Sequence, residues 1–182
     1  MRQHLVEIDK LQRKYGQITI LKGSEVDIKK DGSLDYTPTL RKQLDIVIAS
    51  AHQRFQHDRE AATKRYLKAV DAGITFIGHP TGRLVTEREP IDFDFEKVVQ
   101  ACVDKGVWLE INSSPSRLDL KDTLIRNAKA LNAKFIINTD AHSTDHFRFI
   151  ELGIAQARRG WLEAKNVMNT QSEKKFLQSI QR

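Results

Sequence analysis

The sequence predicts an α/β fold built on parallel strands, and three observations carry that prediction. Five β-branched or apolar runs recur at fairly regular intervals: QITILKGSEVDI, LDIVIASAH, ITFIGHP, VWLEIN and AKFIINTDAH. Helical patterns with apolar residues at three- and four-residue spacing lie between them. Polar residues of metal-binding type follow each run within one or two positions. Short buried strands alternating with helices pair in parallel through right-handed crossovers, which leaves two architectures, a barrel or an open doubly wound sheet.

The bulk properties agree with one globular domain. A chain of 182 residues hides roughly 70% of its unfolded surface on folding, enough for a real core. Hydrophobic residues make up 40% and charged residues 30%, which is too apolar for an intrinsically disordered chain. No apolar run reaches membrane-spanning length, and the opening MRQHLVEIDKLQRK is charged throughout, so a cytoplasmic protein is expected. The net charge of +6 favours a polyanionic partner without naming one. The single cysteine, Cys102, has no disulfide partner and reads as a small core residue.

Taken in order, the first segment is an amphipathic helix bearing His4, an exposed position. The first strand carries Lys22, which could steer a phosphate or simply lie at the surface, and ends in Glu25, with Asp27 two residues on and facing the same way. Glu25 is the preferred site residue, Asp27 being available to the KKDGSLDY turn. The second strand closes on His52, and His57 lies just before the helix DREAATKRYLKAVDAG, in a capping role. ITFIGHP closes on His79, although Gly-His-Pro also suits a structural turn, and Arg83 follows in HPTGR. After the helix DFEKVVQACVDKG, VWLEIN carries Glu110, and Arg117 lies in the loop SSPSRLDL. The helix DTLIRNAKALNA opens on Asp122 as N-cap. The last strand runs into Asp140 and His142; in an extended segment these share a face and can reach one ion, though a structural ion pair is the competing reading. From about Asp145 to Arg182 the stretches HFRFIELGIAQARRG and SEKKFLQSIQR read as capping helices. His146 opens the first of them, and Arg158 and Arg159 near its end suit the helix dipole as surface charges.

Glu25, His52, His79, Glu110, Asp140 and His142 thus fall where α/β barrels keep their active sites, at the carboxyl ends of strands. Mixed imidazole and carboxylate donors suit Zn²⁺, Mn²⁺ or Fe ions, and a cluster of them can hold two or three. A phosphate ester is the natural substrate. Cations polarise phosphoryl oxygens and lower the pKa of bound water to about 7, so no Ser or Cys nucleophile is needed. Arg83 and Arg117 are placed to bind the phosphate.

The segments GSEVDIKKDGSLDY, LDIVIASAH, GHPTGRL, LEINSSPSRLDL, NTDAHSTDH and ARRGWLEAKNVMNT, in that order, resemble the PHP (polymerase and histidinol phosphatase) domain, in the form found at the C-terminus of bacterial and archaeal X-family DNA polymerases. The resemblance implies a distorted seven-stranded β/α barrel, up to three manganese or zinc ions, and phosphoesterase action on DNA ends of the 3′→5′ exonuclease or 3′-phosphatase type. By position, Glu25, His52, His79, Asp140 and His142 match the family's metal ligands, with Glu25, Asp140 and His142 expected at the catalytic centre and Glu110 as an additional site carboxylate. The family domain opens with a His-x-His strand and a second strand ending in Asp-His, and neither is in this sequence. The resemblance therefore covers an N-terminally truncated domain: an incomplete barrel over residues 1–182 with five parallel strands retained, and C-terminal capping helices over 145–182. Fewer metal ions, impaired activity, no polymerisation by this chain, and self-association through the open barrel edge are expected. The alternative is a non-catalytic remnant that binds DNA or supports a polymerase.

Overall fold

The computed structural model of the protein describes residues 2–52 and 58–181, apart from the side chain of Arg2. His57 lies outside the described residues. Five strands form one sheet: β1 (Gly23–Asp27), β2 (Ile46–Ser50), β3 (Phe76–Ile77), β4 (Trp108–Asn112) and β5 (Phe135–Asn138). All neighbours pair in parallel, and the spatial order is the chain order. That order decides between the two architectures. Successive right-handed crossovers in one direction put every crossover helix on the same face and curl the sheet, whereas a doubly wound sheet reverses direction partway. The fold is consistent with an incomplete β/α barrel.

The helices are α1 (Arg2–Lys14), α2 (Pro38–Arg41), α3 (Arg59–Asp71), α4 (Phe95–Lys105), α5 (Asp122–Ala130), α6 (Ile150–Arg159) and α7 (Glu173–Ile180). Their ends follow from capping chemistry. Asp58 and Asp94 accept the N–H groups of Ala61 and Lys97 in the first turns of α3 and α4, and Gly106 closes α4 in the left-handed conformation. Asp122 is the first helical residue of α5, and Lys121 is its N-cap. Asp122 instead places its negative charge in the first turn, where the helix dipole favours it.

Strand periodicity divides the core in two. Val26, Val47, Ala49, Ile77, Leu109, Ile111, Phe135 and Ile137 point to the helix side and join Tyr66, Val70, Val99, Cys102 and Ile125 in the main core. Phe76, Trp108 and Ile136 point the other way, with Ile46 and Ile48 beside them, and Phe176 and Ile180 of α7 pack on this inner face. Cys102 is fully buried, and burial pushes its thiol up to about 12.

The two sheet edges differ. Outside β5, the Asn169 carboxamide accepts from the Ile137 N–H at 2.9 Å and donates to the Ile137 carbonyl at 2.7 Å, imitating a neighbouring strand. On β1, Asp27 has both outward backbone groups engaged, by Asp35. The Glu25 carbonyl accepts from Ser24 Oγ at 3.4 Å, and the outward backbone groups of Gly23 have no partner among the described residues.

Candidate metal centre

The inner face changes character along the strands. Toward their start it is apolar; at the carboxyl ends the same face carries Glu25, Asp27, Glu110, Asn112 and Asn138, whose positions share parity with Ile48, Trp108 and Ile136. The polar rows line a pocket of 230 Å³ with Glu25, His79, Glu110, Asn112, Asn138 and Asp140 on its wall.

Three of the expected residues converge. The Nε2 atoms of His52 and His79 lie 3.2 and 2.9 Å from one oxygen of Glu25. One donor atom from each residue falls within 4.8 Å of the other two, so the three can share a metal ion. The other nitrogen of His52 contacts Asp27. Glu25 and Asp27 are therefore not rivals: both reach His52, from opposite sides of its ring. It is the Asp27 backbone that holds the following turn, through Asp35.

The electrostatics follow from this packing. Burial pushes the Glu25 carboxyl up, but hydrogen bonds from His52 and His79 outweigh it and hold the group well below the usual carboxylate range. His52 moves the other way. Its bond to Glu25, helped by Asp27 and opposed by burial, raises it to about 9.

His79 sits in an unusual backbone conformation, φ 25°. Glu110 fixes it by accepting the His79 N–H at 2.5 Å, and Glu110 is itself held by the carboxamides of Asn138 at 2.9 Å and Asn112 at 3.3 Å. Burial raises the Glu110 carboxyl in spite of these donors. Gly78 makes the approach possible, since a Cβ there would lie 2.4 Å from Ser50 Oγ and 2.8 Å from Ile48 Cγ2. A second buried acid, Asp119, accepts from Thr81 N–H and Oγ1 at 2.9 and 2.8 Å and secures the segment after His79; burial raises its carboxyl too.

Asp140 borders the same pocket, but it lies past the end of β5 and has φ 54°, so the segment from 140 to 142 is not extended. Alternation therefore does not put its two polar residues on one face. Asp140 meets Asn112 at 3.2 Å and Arg117 at 3.4 Å, whereas His142 is 79% exposed and turns its Nδ1 back to the Asp140 carbonyl at 2.8 Å. Arg83 reaches the rim but is tied to the carbonyls of Arg117 and Leu118. Lys22 pairs with Asp9 at 2.6 Å, His4 is exposed, and His146 stacks on Phe149. The residues missed from sequence are Asn112, Asn138 and Asp119. Asn112 carried a signal, being two positions from Glu110 in β4 and hence of matching parity; Asn138 meets it through the sheet register, and Asp119 lies in a loop where no periodicity operates.

Comparison with known proteins bears on this site. No family model matches the chain. It is 37% identical, over 96% of its length, to the DNA polymerase/3'-5' exonuclease PolX of Bacillus subtilis (strain 168), of which it covers 31%. It is 36% identical over 78% of its length to a probable phosphatase of Thermoanaerobacter sp. (strain X514), covering 60% of it, and 33% identical over 76% of its length to a probable phosphatase of Shewanella oneidensis, covering 57%. This homology supports a PHP-type domain. The chain spans under a third of the first relative and somewhat over half of the other two. The converging groups Glu25, His52 and His79 come from β1 and from the segments after β2 and β3, so they meet only through the fold. No helix among the described residues is long and apolar enough to cross a membrane.

Proposed function

We propose that the chain is a metal-dependent phosphoesterase domain of the PHP type that acts on DNA ends, as a 3′→5′ exonuclease or 3′-phosphatase, in the cytoplasm. The observation that carries this reading is the convergence of His52 and His79 on one oxygen of Glu25 at the sheet rim. The donor set fits a divalent cation: two imidazoles and a carboxylate held ionised are what Mn²⁺ or Zn²⁺ takes. Glu25, His52 and His79 would hold it, with Asp140 and His142 completing the set. A bound cation supplies Lewis acidity toward the phosphoryl group and an acidified water. The chain's own residues do the rest. Arg117, beside Asp140, offers its guanidinium to the phosphate, Arg83 holds the Arg117 loop, and Glu110 orients His79.

A second reading, a domain that binds DNA without turnover, is favoured by one observation: His142 points to solvent and not toward Glu25. Elemental analysis and a turnover assay separate the two. The phosphoesterase reading expects bound Mn or Zn and Mn²⁺-dependent release of nucleotides or phosphate from the 3′ end of single-stranded DNA, abolished in Glu25→Gln. Metal binding without turnover of any phosphoester selects the second reading, and absence of both defeats the metal-centre assignment.

A further inference from the structure

A second surface lies on the helix side, away from the pocket-lining face. Helix α6 ends in a paired closing motif: the Trp161 N–H bonds to the Arg158 carbonyl at 2.9 Å and the Leu162 N–H to the Ala157 carbonyl at 3.0 Å. That pattern places its central residue in the left-handed region, normally a glycine. Here the glycine is one position early. Gly160 is needed where it stands, because a Cβ there would lie 2.2 Å from Ile125, and the left-handed position falls to Trp161, φ 61°. A bulky aromatic residue is strained there.

The strained residue is also displayed. Trp161 is 66% exposed, and the Arg126 guanidinium lies 4.7 Å from its ring centroid. Most of the residue thus lies in solvent while a guanidinium sits over its ring. The surroundings are basic. Arg126 and Arg159 share one acid, Asp122, at 3.8 and 2.9 Å, and Lys129 and Lys165 share Glu163. Exposed Arg158 has no ion pair among the described residues. Two acids thus face five cations, more than neutralising a helix dipole requires. The patch also begins at the rim. Asp122 opens α5 directly after the loop that brings Arg117 to Asp140.

We propose that Trp161 is a stacking platform for an unpaired nucleotide, with Arg158 and Arg159 on the adjoining phosphates, so that this face binds single-stranded nucleic acid. An aromatic face amid guanidinium groups is the chemistry that such strands recognise, because every base has a π-face and every link a charge. The inference deepens the phosphoesterase reading by supplying a path for the strand to the rim. The binding itself is independent of metal and is tested without it.

The protein has two tryptophans, and the other, Trp108, is 4% exposed. Titration with decathymidylate in low salt and EDTA should quench the exposed, red-shifted part of the emission to saturation. A labelled decathymidylate followed by anisotropy should bind at least about fivefold more weakly to Trp161→Gly, whose backbone strain is relieved and whose melting temperature should be unchanged or higher. Trp161→Phe keeps a ring and should retain most of the affinity. Replacing both Arg158 and Arg159 by Ala should lower the salt dependence by about one to two counterions. Absence of quenching, equal affinity in Trp161→Gly, equal loss in Trp161→Phe and Trp161→Gly, or equal competition by duplex of the same length overturns the proposal. Because no turnover occurs in EDTA, a failed phosphoesterase assay leaves these outcomes untouched.

Discussion

The backbone N–H of His79 donates to a carboxylate oxygen of Glu110 on the neighbouring strand at 2.5 Å, which makes a buried acid the anchor for a histidine held at φ 25°. Glu110→Ala leaves that N–H and the part-buried Asn138 carboxamide without this acceptor, while the Asn112 carboxamide keeps Asp140. We expect a loss of about 2–4 kcal/mol in urea unfolding, and about half that or less for Glu110→Gln, which keeps one acceptor oxygen. Equal, small losses in both variants would mean that the anchor is not needed.

The histidine pair predicts a pH dependence of the metal-free protein. His52 is raised from its ordinary value of 6.5 to about 9 by Glu25 and Asp27. A group raised on folding contributes its full stabilisation below the unfolded value and loses it as pH rises through the folded one. The melting temperature in EDTA should therefore fall between about pH 6.5 and 9, and His52→Gln should flatten that fall. A profile that rises across this window contradicts the pairing.

Replacing Asp140 by Asn keeps the side chain's shape and removes its charge. If Asp140 helps to hold a cation, Mn²⁺ or Zn²⁺ affinity by calorimetry should drop at least about tenfold while the fold survives. If it serves only as a partner for Arg117, metal affinity should stay the same and stability should fall by less than about 1 kcal/mol, as for a partly exposed ion pair.

Gly78→Ala tests the close approach of β2 and β3. Its Cβ would collide with Ser50 and Ile48 beside the cluster, so a loss of about 1–3 kcal/mol is expected. Metal affinity should fall with it, because His79 is the next residue.

Much of the fold could be read from periodicity, and helices α3 and α4 begin at Asp58 and Asp94, caps that act locally. The direction of winding could not. It depends on which strand lies beside which, a matter of long-range packing. At the site, the convergence of Glu25, His52 and His79 followed the rule that strand ends share a rim. The segment from Asp140 to His142 escaped the rule because it leaves β5 in a left-handed turn, and alternation holds only while the chain stays extended. Asp27 was legible as a neighbour of Glu25 but not as the second partner of His52, since a histidine's two nitrogens face opposite ways and sequence does not say which groups meet them.

The side-chain amide of Asn169 has a consequence for assembly. By occupying both backbone groups of Ile137, beside the Phe135–Val167 bridge, it covers the β5 border and leaves β1, at Gly23, as the barer edge among the described residues. Copies that could add at either border would propagate into fibres. With one such border, any edge-to-edge growth would stop at a pair related by a two-fold axis, the two first strands running in opposite directions. Asn169→Ala would remove that stop, and concentration-dependent light scattering of the variant is where open-ended growth would first be seen.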